Sequence, residues 1–321
     1  QMTKVLVLKD HWLTFTPEDF DALNFDGKFQ FSYKKFDEIT PSDLTETEII
    51  LGMPKPESVK GFANLKWLQT VSAGVNGYDE TTIPAGVILT NGSGTYDLTI
   101  SEHMLMMALM LFRRYPEYAA LQLKEDWRYL PGEIKSIAGS TIVVHGYGNI
   151  GQEFAKKAKA LGAAKIIAVR NSVKFDSPYA DEVVTSDALI KALPEADLVV
   201  TSVPGTTETE NLFNTEIFKH FKKGAYFINV GRGTTVVLDD LLAALNTGQL
   251  AGAGLDVTNP EPLPKGHPAW TTPNLIITPH SSGGYALPET KHRLMTILTE
   301  NFRRYATGEP LNNIVNLKKG Y

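Results

Sequence analysis

Short apolar runs rich in β-branched residues recur along the chain at 4–8, 48–51, 141–145, 165–169, 198–202, 225–230, 252–257 and 274–278. Runs of this length predict buried strands. Between many of them the apolar positions change to a helical spacing, at 150–161, 187–193 and 239–246. Alternation of strand and helix predicts doubly wound parallel sheets covered on both faces. The series from Thr141 to about Thr278 is uninterrupted and reads as one unit, while the N-terminal third carries strands of its own. A last helix, expected at 289–306, follows Ser281-Ser282-Gly283-Gly284. That stretch and residues 94–98 are expected hinges. The first domain is therefore expected to be discontinuous, comprising 1–98 plus 288–321, with 99–287 as the second.

Composition narrows the picture without changing it. The 321 residues suit two domains, and 43% hydrophobic with 21% charged residues is ordinary for a chain with a real core. A net charge of −5 argues against nucleic acid or an anionic membrane as partner. With no cysteine, disulfides, thiolate catalysis and cysteine-based zinc sites are excluded, and a reducing cytoplasm is the expected location. Met2 to Lys9 lacks a basic segment followed by a long apolar run, so no secretory signal is expected there. The longest apolar run, 104–112, is about half of the roughly 20 residues that span a bilayer, and reads as a buried helix.

The first chemical signal is a glycine pattern. Gly146, Gly148 and Gly151 occupy the three positions of G-x-G-x-x-G, directly after the run 141–145 and at the start of a helix. In that context the first glycine permits a tight turn, the second lets a pyrophosphate approach the backbone, and the third allows close helix–strand packing. The helix N-terminus, with Tyr147, Asn149 and Ile150 around it, would offer unpaired N–H groups to phosphate. The next strand ends in Arg170-Asn171-Ser172, with Lys174 beyond and no acidic residue before Asp176. A guanidinium there suits a 2′-phosphate and cannot accept from a ribose hydroxyl, which favours NADP over NAD. The alternative is a solvated arginine with ribose contacts from Asn171 or Ser172. Further cofactor contacts are expected from Val203, Pro204 and Thr209, from Val230, Gly231 and Arg232, and from His280, Ser282 and Gly283.

Three later strand ends each deliver a reactive group. Residues 225–230 run into Arg232, 252–257 lead to Glu261, and 274–278 stop at His280. Ligands of an open parallel sheet sit beyond the carboxyl ends of its strands, so the three are expected to converge. Their chemistry suits reduction of a 2-oxo acid: Arg232 grips the carboxylate or polarises the carbonyl, and His280 donates a proton to the carbonyl oxygen. Glu261 hydrogen-bonds the other ring nitrogen and orients it. Asp256 is a further candidate beside the nicotinamide carboxamide. Taken singly, each residue is equally compatible with an ordinary loop position.

The segments Asn229-Val-Gly-Arg-Gly233, Leu255-Asp-Val257 with Glu261-Pro-Leu-Pro264, and Ile277-Thr-Pro-His280 resemble the D-isomer-specific 2-hydroxyacid dehydrogenases. So do Ser72-Ala-Gly-Val75, Ser101-Glu-His103 and His267-Pro-Ala-Trp270, and the resemblance spans nearly the whole chain. It implies two Rossmann- or flavodoxin-like domains with a cleft between them, and catalytic roles for Arg232, Glu261 and His280. It also implies that the backbone around Ala73, Gly74 and Val75 binds the substrate carboxylate, as a nest of N–H groups would. A homodimer joined through the cofactor domain, near an apolar helix at 100–112, is implied as well. The arginine after the second strand resembles the NADP-using glyoxylate and hydroxypyruvate reductases of this family. The alternatives are an NAD-dependent D-lactate or D-hydroxyisocaproate type dehydrogenase and, in another class, an NAD(H)-sensing corepressor-like protein. His145 and Gly205 depart from the pattern, which expects apolar residues there; His145 either touches the pyrophosphate or simply ends its strand.

The remaining candidates carry less. Met53, Trp12, Trp270 and Tyr285 are expected around the substrate side chain, with core or interface packing as the alternative for the tryptophans. His103 and Glu102 on the apolar helix are expected to be structural, and His267 is a rival proton donor. His11, His220 and His292 show no metal-ligand spacing, so no metal is expected.

Overall fold

A computed structural model describes residues 1–11, 15–172 and 176–321, so Trp12 and Lys174 lie outside the described residues. The chain divides into two compact units, Gln1–Tyr96 with Gly284–Tyr321, and Asp97–Gly283. The chain passes between them a few residues before each expected boundary.

The first unit is built on parallel strands β1 (Thr3–Leu8), β2 (Phe29–Lys34), β3 (Ile49–Leu51), β4 (Trp67–Gln69) and β5 (Ile88–Thr90), in the order β2-β1-β3-β4-β5. On β1, Val5 and Val7 join one core with Phe20, Phe29, Leu294, Leu298 and Phe302. Leu6 and Leu8 point the other way, into a core with Ile50, Val59, Phe62 and Leu68. A strand whose side chains alternate between two apolar layers reads as a continuous apolar run, which is why this one was legible. β2, β4 and β5 were not recognised in the sequence. β2 has a single buried residue, and the other two have only three residues, too few to show a period.

The last helix, Pro288–Thr307, closes this unit. Leu294, Leu298 and Phe302 recur every four residues, and Phe302 packs 4.9 Å from the Trp67 ring. Below them Asn301 donates to Gln69 Oε1 at 3.0 Å, satisfying two buried amides.

The second unit contains β6 (Thr141–His145), β7 (Lys165–Arg170), β8 (Glu182–Thr185), β9 (Leu198–Thr201), β10 (Ala225–Asn229), β11 (Leu250–Leu255) and β12 (Leu275–Ile277). All pair in parallel in the order β12-β11-β10-β9-β6-β7-β8. The winding direction reverses between β6 and β9, which opens a crevice at the carboxyl ends of those strands. β8 was missed, and Ser202, Val230 and Val257 lie just past their strands instead of in them.

β11 begins two residues before the expected run because glycine does not stop it. A Cβ at Gly252 would meet Leu111 at 2.9 Å, and one at Gly254 would meet Met107 at 2.8 Å. These glycines let the helix Asp97–Phe112 lie directly on the strand. That helix is not buried all round: Met104, Met107, Ala108, Leu111 and Phe112 are covered, but Met106 and Leu109 are each 40% exposed. The expected helix 187–193 is one short α-helical turn, Leu189–Ala192, between two 3-10 turns. Among the described residues, no helix is long and apolar enough to cross a membrane, and no three His, Asp or Glu side chains cluster as metal ligands.

Candidate active site

The glycine loop joins β6 to the helix Asn149–Ala160. Gly146 turns the chain at φ +90°, and a Cβ there would press on Val203 at 3.0 Å. A Cβ at Gly151 would lie 2.1 Å from the Gly146 carbonyl oxygen, so only glycine lets the helix sit this close to the turn. At Gly148, by contrast, a Cβ would meet nothing within 4 Å. Gly148 is also the N-cap and supplies no side chain to the helix's first N–H groups. An open approach to uncapped helix N–H groups fits the pyrophosphate of a dinucleotide. Asn149 and Ile150 begin the helix beside it. Tyr147 does not point there: its ring is buried among core residues and its hydroxyl pairs with Ser177 Oγ at 2.7 Å. Any part it takes in binding falls to its backbone.

Around this loop the neighbouring strand ends are close-packed. Val203 is wedged between two glycines, since a Cβ at Gly231 would meet its carbonyl oxygen at 2.6 Å. Pro204 to Thr209 is tied off by the Thr209 hydroxyl, which donates to the Pro204 carbonyl at 2.8 Å and accepts from Thr206 N–H at 2.9 Å. At the end of β7, Arg170 is half-buried while Asn171 and Ser172 are exposed, and Asn171 Oδ1 accepts from Ser186 Oγ at 2.9 Å.

His145 ends β6 inside the protein. Its Nδ1 pairs with Thr201 Oγ1 at 2.8 Å across to β9, and its ring meets Phe213 edge-on at 5.5 Å. Burial pushes its imidazole down to about 4. The unfolded chain takes up this proton below about pH 6.5 and the folded chain does not, so stability falls as pH drops from there towards 4. The full effect is about 3 kcal/mol. The urea midpoint should therefore fall further between pH 7 and pH 5 for the native chain than for His145→Val. Equal pH dependence would show that His145 does not carry this term.

The three candidate reactive groups stand in the loops that follow β10, β11 and β12. Asn229, fully buried at the end of β10, holds the Arg232 turn from both sides: its Nδ2 donates to the Arg232 carbonyl at 2.9 Å and its Oδ1 accepts from Gly231 N–H at 3.0 Å. A Cβ at Gly233 would lie 1.9 Å from the Thr258 carbonyl oxygen, so this turn rests on the loop that follows β11. Burial lowers the guanidinium pKa and the Glu261 carboxylate opposes that shift, which places the two charges in mutual range.

Glu261 Oε1 lies 2.5 Å from His280 Nδ1, with the side chains 40% and 48% exposed. A carboxylate accepts only, so Nδ1 carries the proton in this contact, and Nε2 is the atom left for a substrate. His280 has a left-handed backbone, φ +51°, and its N–H donates to the Asp256 carbonyl at 2.8 Å.

Asp256 is buried at 1% exposure. Burial by itself would raise its pKa, but hydrogen bonds from Ser282, Thr278 and the 281 and 282 backbone outweigh it and hold the carboxyl below its usual range. Ser281 and Ser282 N–H donate to its two oxygens at 2.8 and 3.1 Å. His103 proves structural and specific: its Nε2 pairs with Thr278 Oγ1 at 2.9 Å. Burial lowers its pKa against the pull of Asp256. His267 caps a 3-10 turn through Nδ1, accepting from Ala269 N–H at 3.1 Å, and has no carboxylate on that nitrogen. Asn229 and Thr278, which support these turns, are not distinguished by the sequence pattern except as polar residues at apolar strand ends.

In the first unit, Ser72 Oγ donates to the Gly74 carbonyl, and Asn91 Nδ2 donates to the Ala73 carbonyl at 2.9 Å, fixing the turn that runs to the buried Val75. Met53 is half-buried, with Ser72 Oγ 3.8 Å from its sulfur. Tyr285 is spent on packing at least in part: its hydroxyl pairs with Tyr96 at 2.7 Å and its ring meets Phe15 at 5.1 Å. Trp270 is half-exposed and donates to the Pro264 carbonyl at 2.8 Å, which makes it a loop anchor rather than a core residue.

Residues 105–282 match the family model for the D-isomer specific 2-hydroxyacid dehydrogenase, NAD binding domain. A glyoxylate/hydroxypyruvate reductase A of Serratia proteamaculans is 33% identical over 275 residues, covering 84% of this chain and 85% of that protein. The solved structure of a D-isomer specific 2-hydroxyacid dehydrogenase family protein from Aeromonas salmonicida is 30% identical, with a TM-score of 0.83 over 99% of this chain and 100% of that one. An NADPH-dependent glyoxylate/hydroxypyruvate reductase from Sinorhizobium meliloti, solved with NADP and sulfate, is 28% identical with a TM-score of 0.81 over 99% and 100%.

Proposed function

The chain belongs to the D-isomer specific 2-hydroxyacid dehydrogenase family, and from that premise we propose that it is an NADP(H)-preferring reductase of short 2-oxo acids such as glyoxylate and hydroxypyruvate. The observation that carries the reading is the 2.5 Å Glu261–His280 pair beside the Arg232 turn, in the loops after three successive strands of the dinucleotide sheet. When bound, the reduced nicotinamide supplies the hydride. Arg232 holds the substrate carboxylate with a fork that is charged at any working pH. His280 gives its Nε2 proton to the carbonyl oxygen as that oxygen gains charge, and Glu261 keeps the ring oriented. In the oxidative direction the same nitrogen accepts the proton. Within the N-terminal unit, the backbone of Ala73, Gly74 and Val75 is assigned to the substrate carboxylate, with Met53 and Tyr285 facing the substrate's side chain.

The test is oxidation of NADPH and NADH with a panel of 2-oxo acids. Turnover of glyoxylate or hydroxypyruvate, faster with NADPH, is expected; no turnover with any 2-oxo acid overturns the reading. The preference for NADP is assigned to Arg170, supported by the cofactor named for the Sinorhizobium meliloti structure. Arg170→Asp should remove the cation and set an acceptor for the ribose hydroxyls, shifting kcat/KM by about 10-fold or more towards NADH. An unchanged NADPH-to-NADH ratio would refute that role.

The same reading proposes a homodimer joined through the cofactor unit. Leu123, Trp127, Tyr129 and Ile134 are exposed, as are Met106 and Leu109 on the helix Asp97–Phe112, and large exposed apolar side chains suit an interface. A single-chain mass in solution would sink this part.

A further inference from the structure

The His280 backbone is held by Asp256, a residue that takes no part in the proton transfer proposed above. We infer that Asp256 is a positioning residue for the catalytic histidine, acting as the anion around which residues 278–282 fold. The inference rests on the proposed reaction for its consequence, and on geometry alone for its mechanism.

Three successive N–H groups point at this one residue. His280 N–H donates to the Asp256 main-chain carbonyl at 2.8 Å, Ser281 N–H to Oδ1 at 2.8 Å and Ser282 N–H to Oδ2 at 3.1 Å. Consecutive N–H groups beside a left-handed residue form an anion-binding nest, and here the anion is a side chain of the same unit. The left-handed His280 costs about 1 kcal/mol in an unsupported chain, so something must overdetermine it. Asp256 does so from both its backbone and its side chain.

The carboxylate is itself held. The Thr278 hydroxyl is 2.6 Å from Oδ1, and an ionised carboxylate can only accept, so Thr278 donates. Its oxygen then accepts from His103 Nε2–H at 2.9 Å. A chain of donors thus runs from the helix Asp97–Phe112 through Thr278 to Asp256. On the other side Asp256 N–H donates to the Asn229 carbonyl at 3.1 Å, and Asn229 is the residue that clamps the Arg232 turn. Two neighbouring polar residues, Asn229 on β10 and Asp256 just past β11, therefore set the two catalytic turns from one frame.

Asp256→Asn keeps the shape but turns one oxygen into an NH2 that faces N–H donors, so the turn must open. A shift of the ring by about 1 Å is enough to cost about 10²-fold in rate. We expect kcat to fall on that scale with the KM for NADPH nearly unchanged. In the cofactor-free protein, amide exchange at Ser281 and Ser282 should quicken, and the His280 Nδ1–H proton resonance should lose the signature of its Glu261 bond. Thr278→Val should move the same readouts less, and Thr278→Ser should restore them; this pair serves if Asp256→Asn does not fold.

A raised KM for NADPH with kcat, amide exchange and the His280 resonance unchanged would overturn the inference, placing Asp256 on the nicotinamide instead. So would Thr278→Val without effect on the 281 and 282 amides. If the native chain reduces no 2-oxo acid, the proposed reaction fails, while the exchange and resonance measurements still decide the positioning role.

Discussion

His280→Ala should leave a protein that folds and binds dinucleotide but does not turn over. General acid catalysis by a placed side chain is worth about 10²- to 10⁴-fold in rate, and among the described residues His267 and His103 are both engaged elsewhere. His267 uses Nδ1 to cap its own turn, and His103 is committed to Thr278. The cost to stability should be small. The Glu261–His280 pair is nearly half-exposed, so removing the ring strands no buried charge. Binding should survive because the glycine loop belongs to β6 and its helix, and a Cβ at Gly148 would meet nothing from the β12 end. The measurement is kcat with a 2-oxo acid beside a fluorescence titration with NADPH. Full activity would remove His280 from the mechanism, and lost binding would make it a cofactor residue.

Gly151→Ala should abolish dinucleotide binding and destabilise the second unit together. The new Cβ would sit 2.1 Å from the Gly146 carbonyl oxygen and 3.2 Å from Val144, and the first of these is backbone that cannot rotate away. The helix Asn149–Ala160 must lift off the turn, which costs about 1–3 kcal/mol by overpacking and withdraws its N–H groups from the phosphate. Gly148→Ala is the control with the opposite signature. Its Cβ finds open space in the folded chain, so the melting temperature should hold while the pyrophosphate loses its close approach. A thermal melt and an NADPH titration on both variants separate the two effects. Gly151→Ala with native stability and binding would show that this helix can shift without consequence.

Most strands that could be read from the sequence share one physical feature. β1, β6, β7, β9 and β10 are central strands covered on both faces, so most positions along them are apolar and the run announces itself; the three-residue β3 and the half-buried edge strand β12 were read as well. β8 is an edge strand with half-exposed residues, and β4 and β5 span three residues each, too short to show a pattern; the edge strand β2 does alternate, as Phe29-Gln-Phe-Ser-Tyr-Lys34, so there the period of two was present in the sequence. β11 begins at Leu250, two residues before the expected run, and the missing side chain of Gly252 serves the packing of Leu111.

The site divides in the same way. The glycine spacing together with the apolar strand before it and the helix after it located the loop, because a tight turn, a close ligand approach and a packed helix are all local requirements. Arg232, Glu261 and His280 could be placed at strand ends, since parallel strands deliver their carboxyl ends to one edge. That Glu261 meets Nδ1 at 2.5 Å depends on two loops from different strands, which no local pattern encodes. His145 looked like a departure near the phosphate, and only its neighbours Thr201 and Phe213 show that it is core. Asp256 is the sharpest instance. In the sequence it is one acidic residue after a strand, read as a cofactor contact. In the folded chain, residues 22 to 26 positions later bring a hydroxyl and two N–H groups onto its oxygens. Elements whose chemistry is complete within one turn or one strand were determined by the sequence; interactions that need two distant segments at hydrogen-bond distance were decided by the tertiary structure, because only packing of the sheet sets that separation.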